Sequence, residues 1–222
     1  MNVYLDIETI PAQRADLRAV VRAAVKPPAT IKNALTIAEW EQKRRPEAEE
    51  EAIAATSFDG GMGQVCVIGW ALDDDPPQSV QVKDLSLGAE KEILCEWFAQ
   101  LRHVYSTSGT RPVVVGHNIV AFDLPFIWKR VMYHGIRPPM WVPRDPKPWS
   151  DAVFDTMTQW AGARERISMD RLCLLLELPG KGDVTGADVW PMVQAGRIDD
   201  VAAYCRDDVE RTRAIHRRMT FA

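Results

Sequence analysis

No apolar run in this 222-residue chain approaches the ~18–20 residues needed to span a bilayer, so no membrane partner is expected. Cysteine is sparse. Cys66, Cys95, Cys173 and Cys205 stand far apart with no C-x-x-C pair, which removes the zinc ribbon and the thioredoxin motif. Four reduced thiols in a cytoplasmic protein are the expectation. Met1-Asn2 offers no basic n-region, so no signal peptide is expected. The glycines of Asp59-Gly60-Gly61-Met62-Gly63 spell neither a P-loop nor G-x-G-x-x-G, so they read as a turn and not as a phosphate cradle. Internal repeats and low-complexity linkers are also missing, which points to one domain over residues 1–222. Neither charge sign dominates, with a formal net charge of -4. That balance does not exclude nucleic acid, because clustered carboxylates can hold metal ions that reverse the local sign.

What is present is ordinary globular material, 46% hydrophobic and 26% charged. A chain of this length buries about 70% of its unfolded surface, enough for a core without disulfides. Val3, Leu5 and Ile7 alternate with Tyr4, Asp6 and Glu8, a strand with one apolar face. Ala12–Val25 reads as a helix ending before Pro27-Pro28, and Thr36 as the cap of a second helix that restarts at Pro46. Strands are expected at Gln64–Leu72, Ser79–Asp84 and Val113–Val115, with a short one at Val153–Met157. Helical spacing marks Glu90–Val104, Phe122–His134, Met169–Leu176 (capped by Ser168) and Ile198–Met219. Residues 135–150 are rich in proline and tryptophan and read as a loop, and Asp73-Asp74-Asp75-Pro76-Pro77 as a polar turn. The sum is an α/β fold with a mixed sheet.

Three short stretches carry chemistry. Asp6 and Glu8 are two apart on a strand, so both carboxylates leave the same face and can converge on one hard cation. Asp208-Val209-Glu210 has the same spelling on a helix, where a spacing of two turns the side chains roughly 200° apart. In the second stretch, the strand ending at Gly116 runs into His117-Asn118-Ile119-Val120-Ala121-Phe122-Asp123, which places Asp123 at a helix start. A carboxylate there is also explained by the helix dipole alone. In the third, Tyr204 and Asp208 are four apart and share a helix face. Asp207 is rotated roughly 100° aside, toward an expected surface pair with Arg211.

Together, Asp6-Ile7-Glu8, Asn118…Phe122-Asp123 and Tyr204-Cys205-Arg206-Asp207-Asp208 resemble the three motifs of the DEDD-superfamily 3′–5′ exonucleases, in order. Tyr204, four before the last acid, matches the tyrosine (DEDDy) subgroup. The residues are most similar to predicted exonucleases related to the proofreading domain of family B DNA polymerases. Asp6-Ile7-Glu8-Thr9-Ile10-Pro11 and Gly180-Lys181-Gly182 add to the likeness, whereas residues 26–57 read as a helical insertion outside it.

This resemblance implies a ribonuclease H-like fold, a mixed central β-sheet flanked by helices. It implies two divalent cations, Mg²⁺ or Mn²⁺, held by Asp6, Glu8, Asp123 and Asp208, with Tyr204 orienting the attacking water. Set those four acids aside and 27 acidic residues face 27 basic ones, so the loaded protein need not repel a phosphate backbone. The implied substrate is the 3′ end of single-stranded DNA, with RNA as the alternative on the same fold and a non-catalytic nucleic-acid-binding module as the other. His117, Asn118 and Phe122 are candidates to hold that end. Phe126, Trp141 and Trp149 could add stacking, and Lys129, Arg130, Lys147 and Lys181 could meet phosphates. No polymerase region is visible in the sequence, so a polymerase or a replication or repair partner would act in trans.

Overall fold

The computed structural model describes every residue except Pro148, Trp149, Ala163, Lys181 and Asp183, and except the side chains of Val104 and Thr107. Five strands form one sheet: β1 (Asn2–Ile10), β2 (Gln64–Leu72), β3 (Gln78–Gln81), β4 (Val113–Gly116) and β5 (Val153–Asp155), in the order β3-β2-β1-β4-β5. β1 pairs antiparallel with β2 and parallel with β4, so the sheet is mixed, as expected. β3 ends three residues short of the expected Asp84. The Asp84 carboxylate instead accepts from the Ser86 backbone N–H at 2.7 Å, and Ser86 caps the next helix.

Nine helices are described. α1 (Ala15–Ala24), α2 (Ala34–Lys43) and α3 (Arg45–Ala55) precede β2, and α4 (Leu87–Ser108) joins β3 to β4. α5 (Asp123–His134), α6 (Thr156–Ala161), α7 (Met169–Leu175), α8 (Val189–Gln194) and α9 (Ile198–Thr220) complete the chain. α2 begins earlier than the Thr36 cap suggested. Asn33 is the cap, its side chain accepting from Leu35 N–H at 2.8 Å, and Pro46 sits in the first turn of α3. Among the described residues, no helix is long and apolar enough to cross a membrane.

The expectation of one apolar face on β1 needs correction, because both faces are covered. Val3, Leu5 and Ile7 enter the main core with Leu94, Trp97, Phe98, Leu124 and Ile127 from α4 and α5. Tyr4 packs on the other face with Ala71, Val115 and Val209 of α9. Tyr4, Asp6 and Glu8 therefore face the helix that carries Tyr204 and Asp208. Two features bring that helix close. Gly69, the antiparallel partner of Asp6, sits under α9, where a Cβ would lie 2.8 Å from Cys205 Sγ. The Tyr4 hydroxyl also lies 3.0 Å from His216 Nδ1 further down α9. The triple-aspartate turn is tied to the same helix, with Arg213 Nη1 donating to the carbonyls of Asp73 (3.0 Å) and Asp75 (2.6 Å) and Arg217 pairing with Asp74.

Candidate active site

β1 sets the floor of the site. Asp6 and Glu8 project toward α9, and a β-bulge follows at Glu8/Thr9. Each offers a ligand atom within 4.8 Å of the other and of Cys205 Sγ. That thiol lies 3.3 Å from Asp6 Oδ2 and 3.5 Å from the Asp6 carbonyl oxygen. Cys205 follows Tyr204 on α9 and points under the acids, so it links helix to strand where the two motifs meet.

The second motif arrives on the start of α5. Asp123 is its first residue and is 4% exposed, its Oδ1 accepting from the Ile7 backbone N–H at 3.1 Å. This bond fixes the N-terminus of α5 against β1, between Asp6 and Glu8. Burial pushes the Asp123 carboxyl up to about 7, against the two backbone N–H groups that favour its charged form. The Asp6 carboxyl lies well above the usual carboxylate range. Burial is the largest cause, followed by the charges of Glu8, Asp123 and Asp208. Asp6 is therefore close enough to the other three acids to feel the charge of each.

α9 supplies the remaining wall. Tyr204 and Asp208 share its buried face, and Tyr204 is 8% exposed. The phenol pKa is raised by burial first, then by the charges of Asp208 and Glu8. Arg211 Nη1 lies 2.5 Å from Asp208 Oδ1, one turn on. The expected Asp207–Arg211 pair is thus replaced by Asp208–Arg211, because the i,i+3 spacing reaches the buried carboxylate while Asp207 faces solvent.

The family model for "Predicted 3'-5' exonuclease related to the exonuclease domain of PolB" matches residues 61–222. The chain belongs to this family. The match starts beyond Asp6 and Glu8, and it is the geometry that brings Asp6 together with Glu8, Asp123 and Asp208. Among solved structures, the chain is similar to the family B DNA polymerase from the hyperthermophilic archaeon Pyrobaculum calidifontis, at 14% identity and a TM-score of 0.57. That likeness is one of fold, the ribonuclease H-like sheet with its flanking helices. It covers 95% of this chain and 23% of the polymerase, so the chain spans about a quarter of that protein's length. No curated protein matches the sequence.

The substrate candidates separate on inspection. His117 is held from both sides, Nδ1 at 2.9 Å from Thr156 Oγ1 and Nε2 at 3.0 Å from the Ile167 carbonyl. Asn118 adopts the left-handed region (φ 63°), and its buried Oδ1 has no hydrogen-bond partner. Phe122 is partly exposed next to Asp123. Phe126 and Trp141 belong to the core instead, at 2% and 5% exposed. Lys129 pairs with Asp59 at 2.6 Å, and Arg130 is buried against Glu90, so neither is a free phosphate ligand. Lys147 is exposed, 3.4 Å from Asp145. Trp149 and Lys181 lie outside the described residues.

Two residues were not singled out from sequence. Asp155, buried at the end of β5, accepts from the backbone N–H groups of Asn118 (3.0 Å), Val120 (3.0 Å), Met157 (3.0 Å) and Thr158 (3.2 Å). It caps α6 and straps the loop that delivers Asp123, and its charge adds to the rise at Asp123. The readable signal was Asp-Thr at a strand end, a helix-cap pattern. Phe58, 74% exposed, lies with its ring 6.4 Å from that of Phe122. No sequence periodicity marks it, since it sits in a single 3₁₀ turn.

Proposed function

We propose that this exonuclease hydrolyses phosphodiester bonds at the 3′ end of single-stranded DNA, releasing nucleoside monophosphates with the help of two divalent cations, Mg²⁺ or Mn²⁺. One observation carries the reading: four carboxylates from β1, α5 and α9 converge beside a tyrosine, Asp6 partly exposed and the other three buried. Such a set fits hard cations, because it offers oxygen ligands from acids whose pKa values are raised, Asp6 by burial and then by the charges of the other three, Asp123 chiefly by burial. Asp6, Glu8, Asp123 and Asp208 would hold the cations. When bound, these would neutralise the scissile phosphate and activate water.

The chain's own residues do the rest. A phenol with a raised pKa stays protonated, so Tyr204 donates or accepts a hydrogen bond to place the water and does not act as an anionic base. Arg211 neutralises part of the Asp208 charge and holds its rotamer. Asp155 fixes the backbone around Asn118, and so the loop that would hold the terminal nucleotide. Phe122 and Phe58 form a stepped aromatic edge on which a terminal base could stack. His117 serves by position, holding the loop to α6 and to Ile167. Residues 1–222 act as one exonuclease domain in this reading, with 26–57 as the helical insertion, and any polymerase or repair partner acts in trans.

Digestion of end-labelled single-stranded DNA, double-stranded DNA and RNA, with and without EDTA, tests it. Stepwise shortening from the 3′ end of single-stranded DNA, stopped by EDTA, is expected. Cleavage that survives complete chelation, or that a 5′ block stops, would overturn the proposal.

A further inference from the structure

One sizeable concavity does not touch the carboxylates. It lies where the C-terminal part of α4 meets the start of β4 and the loop after α5, and holds about 520 Å³. β1 and β4 run parallel with Asn2 level with Val113, so Asp6 is four residues further along the strand direction. At about 3.3 Å per residue, roughly 13 Å of sheet separates this end from the acids. A ligand here is not the bond being cut.

Three guanidinium groups line it: Arg102, Arg111 and Arg137. Among the described residues none of them has a carboxylate partner, and Arg102 donates only to the Arg137 carbonyl. Arg14, Arg22, Arg44, Arg45 and Arg197 elsewhere on the surface are each paired with an acid. Three like charges around one cavity repel one another unless an anion sits between them. The other wall is apolar and ring-bearing. Tyr105 is 42% exposed and Met140 93% exposed, and the Tyr105 ring lies 6.4 Å from that of Trp141. Trp141 is itself 5% exposed, with an Nε1 donor that has no partner. An anchored ring, an exposed thioether and three planar forks describe a ligand that is part phosphate and part flat aromatic. Arginine forks match phosphate oxygens two at a time. A cavity of this volume is in the range for a small organic ligand and larger than inorganic phosphate requires.

We propose that this cavity is a second, non-catalytic site for a nucleoside phosphate, either a free mononucleotide or one nucleotide of a strand. The phosphate meets Arg102, Arg111 and Arg137, and the base lies against Tyr105 and Met140. The site's chemistry is independent of the carboxylate reading, and it stands even if the chain's substrate proves to be different.

The test uses the full chain in EDTA, so that no strand is cut. Thymidine, inorganic phosphate, thymidine monophosphate and fluorescein-labelled oligothymidylates of increasing length are titrated against wild type and against the Arg111→Ala/Arg137→Ala variant. Both side chains are exposed and make no carboxylate contact, so the variant is expected to keep the wild-type circular dichroism and melting curve. Thymidine monophosphate should bind wild type more tightly than phosphate or thymidine, and the variant should lose at least tenfold. Should only the oligomers show that loss, the occupant is a strand, and its log–log salt slope should fall by about 0.7 for each phosphate contact removed. Hydrolysis of p-nitrophenyl thymidine monophosphate, a substrate too short to bridge both sites, should be unchanged in the variant. Equal binding of every nucleotide probe by variant and wild type overturns the site. A wild-type protein inactive on p-nitrophenyl thymidine monophosphate and on DNA, yet binding nucleotides through these arginines, would refute the proposed function and leave the site standing.

Discussion

Glu90 is fully buried and surrounded by donors. Arg130 reaches it through Nε at 2.8 Å and Nη2 at 2.6 Å, His134 Nε2 lies at 2.7 Å, and the Val65 backbone N–H donates at 2.8 Å. Asp6, Glu8, Asp123 and Asp208 instead meet one another: after burial, the charges of the other three raise the Asp6 carboxyl, and Arg211 reaches the set at Asp208. The first cluster satisfies its own charge and ties α4, α5 and β2 together. The second sets like charges against one another at Asp6, which no gain in packing would explain. The contrast separates a group that holds the fold from one that, in the proposed function, would hold cations.

Removing one acid from the second cluster should produce the largest effect. Asp208→Asn keeps the shape but removes the charge a hard cation needs. Losing several kcal/mol of transition-state stabilisation corresponds to about a 10³-fold fall in rate. Initial rates on end-labelled DNA at saturating metal measure it, with circular dichroism confirming the fold. More than a tenth of wild-type activity would remove Asp208 from the site.

The first cluster should respond in stability and not in chemistry. Arg130→Met leaves Glu90 without its bidentate partner, and breaking a buried pair costs about 3–5 kcal/mol. Urea denaturation should show that loss, while activity per folded molecule at low temperature stays near wild type. A cost under 1 kcal/mol would mean that Glu90 is not the fixed charge the geometry describes.

Tyr204→Phe is expected to lower turnover about 10²-fold, roughly 2.7 kcal/mol, while metal affinity holds within a few-fold. Calorimetric metal binding and single-turnover rates separate the two. A parallel fall in metal affinity would make Tyr204 a ligand-site residue and not a water-positioning one.

The burial of Asp123 should also be visible in stability without metal. Asp123 is raised in the fold to about 7 from 3.8, so the folded state holds more protons than the unfolded one between those values. Stability from this group is therefore fully present below about pH 4 and is lost as pH rises toward 7. Asp123→Asn removes this group's share of the dependence, leaving that of Asp6, and should stabilise the metal-free protein at pH 8 by about 1–2 kcal/mol, within the ceiling of about 1.4 kcal/mol per pKa unit. Thermal melts in EDTA across pH 4–8 test this, and a wild-type Tm that rises through the window would contradict it. Added Mg²⁺ or Mn²⁺ should raise the wild-type Tm more than that of the variant.

Much of this site could be read from the chain because strand and helix periods are local. Alternation along β1 placed Asp6 and Glu8 together, and the four-residue step placed Tyr204 with Asp208. The second face of β1 was hidden, since Tyr4 meets Val209 only after the chain has closed 205 residues later. Arg130 looked like a surface cation because its partner, Glu90, lies forty residues away on another helix. Asp155 was missed because Asp-Thr signals no more than a helix cap, whereas its bonds to the Asn118 and Val120 N–H groups exist only after closure. The arginine-lined cavity is likewise a product of closure, with its three cations drawn from α4, the approach to β4 and the loop after α5.

The smallest expected effect belongs to the neighbour of the most sensitive residue. Asp207 faces solvent on α9, one position before the buried carboxylate. Arg211 has gone to Asp208, so Asp207→Asn does not break the ion pair that sequence spacing suggested. A surface substitution away from such features costs within about 0.5 kcal/mol. Activity should stay within about twofold of wild type, and the melting temperature should scarcely move. Arg211→Ala completes the comparison: it should alter metal affinity through Asp208, whereas Asp207→Asn should not. If Asp207→Asn were inactive and Asp208→Asn active, the helix would be rotated by roughly 100° from the face described. Tyr204, placed by the same rotation, would then leave the site with it.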